Sequence, residues 1–93
     1  MRPPPGAGVG RVRRDMMQAD AELDAIGLLC PLPVLKARKR LKAMIPGQVL
    51  CVLASDPAAV VDIPHFCTQS GHALLGVEER ETATAYFIRH SGS

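Results

Sequence analysis

Leu29-Cys30-Pro31-Leu32-Pro33-Val34-Leu35 joins an extended segment to a helix, and the order of the surrounding elements follows from that reading. Each proline lacks an amide hydrogen and clashes with the preceding turn, so two prolines this close fit only a first helical turn, whose amides have no intrahelical partner. Cys30 is thereby predicted at or beside a helix N-cap. The positive end of the helix dipole there is expected to stabilise the thiolate, the nucleophilic form of cysteine.

Before this turn, Ala21-Glu22-Leu23-Asp24-Ala25 alternates apolar or small with acidic residues, as a strand with one buried face does, and Gly27 ends it. After it, Val34, Ala37, Leu41, Met44 and Ile45 recur at three- and four-residue steps as the inner stripe of a helix stopped by Pro46-Gly47. The outer face carries Lys36, Arg38, Lys39, Arg40 and Lys42. Val49-Leu50-Cys51-Val52-Leu53 is an unbroken apolar run, predicted as a central strand covered on both faces. Ser55 or Asp56 is the expected cap of a second helix with Pro57 at its first position. Its inner side carries Ala59, Ile63, Phe66, Cys67 and Ser70; Pro64 should kink it, Asp62 restart it, and Gly71 end it. Residues 73–77 and 82–88 read as two strands joined through Glu78 to Glu81, an antiparallel hairpin.

The order is β-α-β-α-β-β. Helical crossovers between parallel strands are almost always right-handed, so if both step the same way the two helices lie on one face and the domain is an α/β two-layer sandwich of the α+β class. Residues 1–19 read as a disordered N-terminal tail, 20–90 as one domain and 91–93 as a disordered C-terminus. A unit of about seventy residues buries roughly 60% of its unfolded surface, which places function on the outside of the domain.

Net charge is +2, and no Trp, one Tyr and two Phe leave little for stacking bases, so direct nucleic-acid binding is not expected. No apolar stretch approaches the ~20 residues that span a bilayer, and no membrane role is expected. Three cysteines without framework spacing favour a reducing compartment, and a cytoplasmic location is expected.

Cys30 has the setting of a reactive thiol, but no Cys-x-x-Cys partner for a self-contained dithiol cycle. Cys51, mid-strand, reads as inert core. Cys67 reads as core with a possible part as auxiliary or resolving thiol, which leaves open a redox or regulatory protein using Cys30 with Cys67. His65, Cys67 and His72 do not match zinc-ligand spacing, and neither a metal nor a cofactor is expected. Lys36, Arg38 and Lys39, on the same helix as the thiol turn, are candidates for steering an acidic partner.

Gly27-Leu28-Leu29-Cys30-Pro31-Leu32-Pro33-Val34-Leu35-Lys36 with Arg38-Lys39 resembles the Cys-Pro-x-Pro signature of the TusA/SirA family of sulfur carriers. Asp56-Pro57, Asp62-Ile63-Pro64, Phe66-Cys67 and Tyr86-Phe87-Ile88-Arg89 resemble its later segments, so the likeness spans roughly residues 21 to 90. Leu29 departs from the basic or polar residue that family members often carry there. The resemblance implies a mixed four-stranded sheet and a persulfide carried on Cys30, with Pro31 and Pro33 supporting the helix start. It also implies a cysteine desulfurase or rhodanese-like sulfurtransferase as donor and a protein acceptor serving tRNA thiolation, cofactor biosynthesis or sulfur oxidation. Such a chain has sulfurtransferase-like activity as a protein cosubstrate rather than as a stand-alone enzyme.

Overall fold

In the computed structural model, which describes residues 19–92, the elements follow the predicted order: β1 (Ala21–Ala25), α1 (Leu32–Lys42), β2 (Val49–Ala54), α2 (Ala59–Ser70), β3 (Ala73–Glu79) and β4 (Thr84–Arg89). The N-terminal tail predicted for residues 1–19 lies, up to residue 18, outside the described residues, as does Ser93. The sheet order is β1-β2-β4-β3. β1 runs parallel to β2 with Leu23 opposite Val52, and β4 runs antiparallel to both β2 and β3. The sheet is therefore mixed, and the fold is the α+β sandwich.

Alternation in β1 does what its period requires: Ala21, Leu23 and Ala25 turn toward the core while Glu22 and Asp24 stay exposed. The main core lies between this face and the helices, joining Ala37 and Leu41 of α1, Ile63 and Cys67 of α2, and Val52 and Tyr86 of the inner strands. Each such large apolar side chain contributes about 1.5–3 kcal/mol by leaving water. β2 is covered on both faces, as its apolar run predicts, although the helices lie on only one of them. On its other face Cys51 is buried in a smaller cluster with Ala85 and Phe87, against which Ala19, Val49 and Leu53 pack.

Four local expectations are corrected. α1 ends at Lys42 with Ala43 as C-cap, so Ile45 falls in the following turn and is 63% exposed rather than on the inner stripe. α2 begins at Ala59; Asp56 caps the preceding turn instead, its carboxylate accepting the Ala58 N–H and its carbonyl the Ala59 N–H. Pro64 is accommodated inside a continuous α2, and Asp62 belongs to the first turn rather than to a second start. The hairpin loop lies at residues 80–83, closed by the Arg80 N–H donating to the Ala83 carbonyl, because β3 continues through Glu78 and Glu79 despite their charge.

Gly71 ends α2 as predicted, in the left-handed conformation at φ 84°, with its N–H on the Cys67 carbonyl. A Cβ is disfavoured there, so Gly71→Ala is expected to cost about 1 kcal/mol, read as a lower urea midpoint.

At the end of the sheet away from the thiol turn, His72 and His90 pack with their rings tilted and ring centroids 4.8 Å apart. Each accepts a backbone N–H at Nδ1, from Ser91 and Gly92 respectively. Burial, then the neighbouring His90, holds His72 below its ordinary 6.5. The unfolded chain therefore takes up the proton first. The resulting stability is present above pH 6.5 and is lost as pH falls from there through the lower value of the folded state, and His72→Gln should flatten this acid limb in urea titrations.

Candidate functional site

Cys30 sits beyond the C-terminal end of β1, where its strand and the parallel β2 deliver two loops side by side. The loops are tied together: the Gly27 N–H donates to Ser55 Oγ at 2.8 Å and the Cys30 N–H to Asp56 Oδ2 at 2.6 Å. The second bond fixes the backbone of the cysteine itself. Pro31 is the N-cap of α1 and Pro33 lies in its first turn, so both prolines are at the helix start, and Cys30 is one residue before the cap. Its thiol is exposed.

A surface groove of about 430 Å³ opens beside it, lined by Cys30, Pro31 and Val34 on one side and by Asp62, His65, Phe66 and Gln69 of α2 on the other. The α2 residues follow i, i+3, i+4, i+7 spacing, one face of a helix, which is the signal that could have found them. Read one at a time, Asp62 looks like a cap and His65 like a surface residue; only the packing of α2 beside α1 brings them to the thiol.

The electrostatics differ from the sequence expectation. Cys30 is held above the ordinary thiol value of 9.0, first by hydrogen bonding to the Asp62 carboxylate, then by desolvation, then by the charges of Asp62 and Asp56. The helix start offers little compensation. Pro31 and Pro33 have no N–H, and the Leu32 N–H is already donated to the Leu29 carbonyl at 2.8 Å. The prolines that mark the helix start thus remove the donors through which it would stabilise a thiolate.

Cys51 and Cys67 are buried. Burial raises both thiols, Cys67 to about 11, and neither lines the groove. Lys36, Arg38 and Lys39 are exposed along α1, with Lys36 and Lys39 roughly 6 and 10 Å beyond the helix start at Leu32, at about 1.5 Å per residue. Among the described residues no group of three or more His, Cys, Asp or Glu side chains is placed to hold a metal ion.

Residues 21–90 match the model of the family described as Sulfurtransferase TusA. The chain belongs to the TusA family. A similar curated relative is the sulfur carrier protein TusA of Allochromatium vinosum, 46% identical over 76 residues that cover 82% of this chain and 100% of the relative. The crystal structure of a SirA-like protein from Desulfitobacterium hafniense shares the fold with a TM-score of 0.68, at 23% identity over 76% of this chain and 97% of that one. For a TusA-family chain the sulfur carriers' general requirement, a chemical partner on each side of the transfer, applies. Among the described residues no helix is long and apolar enough to cross a membrane.

Proposed function

We infer that this protein accepts sulfane sulfur as a persulfide on Cys30 from a desulfurase or sulfurtransferase and relays it to an acceptor protein. The observation that carries this reading is the position of Cys30: an exposed thiol on a turn fixed by the Asp56 hydrogen bond, at the mouth of an open groove. Two proteins must reach the same sulfur in succession, and a thiol on the rim of a small domain permits both approaches.

Transfer at this atom is an exchange between sulfurs. The Cys30 thiolate attacks the outer sulfur of a donor persulfide, the donor S–S bond breaks, and the donor cysteine leaves as thiolate. Delivery is the same step with Cys30 as leaving group. Pro31 and Pro33 have the role of shaping the turn that presents Sγ. Leu29, which is 67% exposed, and Leu32, Val60 and Val61 stand at the starts of the two helices and supply apolar area for docking, while Lys36, Arg38 and Lys39 steer acidic surface from farther along α1.

The redox reading with Cys67 is disfavoured by its burial and its weak acidity. The test is intact mass after incubation with a cysteine desulfurase and cysteine. Gain of one sulfur atom, removed by a thiol reductant, supports the carrier; a loss of two hydrogens on mild oxidation with no sulfur gained would favour a Cys30–Cys67 disulfide instead.

A further inference from the structure

Two carboxylates from different elements meet at Cys30, the one exposed thiol. Asp62, in the first turn of α2, shares the groove wall with Cys30. Asp56, in the loop after β2, divides its oxygens between the Cys30 and Ala58 amides. His65 is the groove's other titratable side chain, and the cations of α1 lie farther along that helix. A cysteine meant to become a thiolate is thus flanked by two carboxylates, one on its backbone N–H and one in the wall of the same groove.

Taking Cys30 as the sulfur-bearing atom, we propose that Asp62 is a positioning residue that locks Cys30 as the thiol while the carrier is undocked, and that a transfer partner releases the lock by setting a cationic side chain against Asp62. Loading begins when the Cys30 thiol gives its proton to solvent. Its thiolate then forms the new S–S bond to the donor's outer sulfur as the old S–S bond breaks, and the donor cysteine departs with the electron pair. Sulfur moves without net oxidation or reduction. Asp62 opposes only the first event, because attack waits on deprotonation. A cation from the partner both occupies the carboxylate as acceptor and cancels its charge, so the thiolate forms inside the docked pair. In the free carrier the protonated sulfur is spared the oxidation that an exposed thiolate invites.

The experiment measures alkylation of Cys30 by iodoacetamide as a function of pH on the full chain, with Asp62→Asn and Asp62→Glu. The wild type is expected to reach half-maximal rate above the ordinary 9.0. Asp62→Asn should move that midpoint down and raise the rate at pH 7 severalfold, and Asp62→Glu should restore the wild-type profile, which a purely structural role would not produce. Superposable profiles for wild type and Asp62→Asn overturn the proposal. If Asp62→Asn does not fold, a wild-type midpoint below 9.0 overturns it alone.

Loading is then compared with glutathione persulfide, which does not dock, and with a cysteine desulfurase. Asp62→Asn should load severalfold faster than wild type from the small donor and no faster from the protein. Equal acceleration from both rejects release by the partner. A chain that takes sulfur from neither donor refutes the carrier reading and leaves the alkylation profiles to judge Asp62 separately.

Discussion

Replacing Cys30 with serine is expected to remove sulfur loading: after incubation with a cysteine desulfurase and cysteine, the intact mass of the variant should stay that of the unloaded chain. A serine hydroxyl is not ionised at neutral pH and does not displace a thiolate from a persulfide, so no slower route through the same position remains. The other two thiols are not expected to substitute. Both are buried, and the Cys67 thiol at about 11 is almost wholly protonated at pH 7. Cys67→Ala should therefore load like wild type. The fold is not at stake, because the bond that orders the turn is donated by the Cys30 backbone N–H to Asp56 and serine keeps it. Sulfur gained by Cys30→Ser would remove Cys30 from the centre of the mechanism, and sulfur lost in Cys67→Ala would bring Cys67 into it.

The largest effect on stability is expected at Ile63. Its side chain is 0% exposed and fills the core between α2 and the sheet. Ile63→Ala deletes the buried methyl groups and leaves a cavity, at a cost of about 2–5 kcal/mol. A domain of this size has about 4–11 kcal/mol in total. The urea midpoint should fall steeply with the slope unchanged, and a loss under about 1 kcal/mol would show that α2 is not anchored there. Ile63 also follows Asp62 directly, so sulfur transfer should decline well before the population unfolds, as the α2 wall of the groove shifts against Cys30.

Where periodicity and punctuation agree, the sequence reads directly onto the structure. β1 follows from the alternation at residues 21–25, α1 from its apolar stripe after two prolines, and the end of α2 from Gly71. Cys30 stands out for the same local reason. The misreadings arise where a tertiary contact outweighs local preference. Pro64 is held within α2 because Ile63 and Cys67 on either side of it are both core residues, and Glu78 and Glu79 extend β3 because β4 supplies their backbone partners. The charge around the thiol was the least legible feature. Asp56 and Asp62 are 26 and 32 positions beyond Cys30 and become its neighbours only through the parallel pairing of β1 with β2 and the packing of α2. The helix start is written next to Cys30 in the sequence, whereas the carboxylates reach it only through the fold.

The strand order has a consequence for how this protein is made. β4, the last of the described elements, lies inside the sheet, bonded on one side to β2 and on the other to β3. Until residues 84–89 have been synthesised, β2 has an open edge and β3 has no neighbour at all, so the emerging chain has no stable partial sheet on which to rest. Assembly is thereby postponed until β4 has been made and then happens at once, through contacts far apart in sequence. A ribosome that stops short of Arg89 does not release a shortened carrier; it releases an unpaired strand edge, the form of this sequence most prone to aggregate.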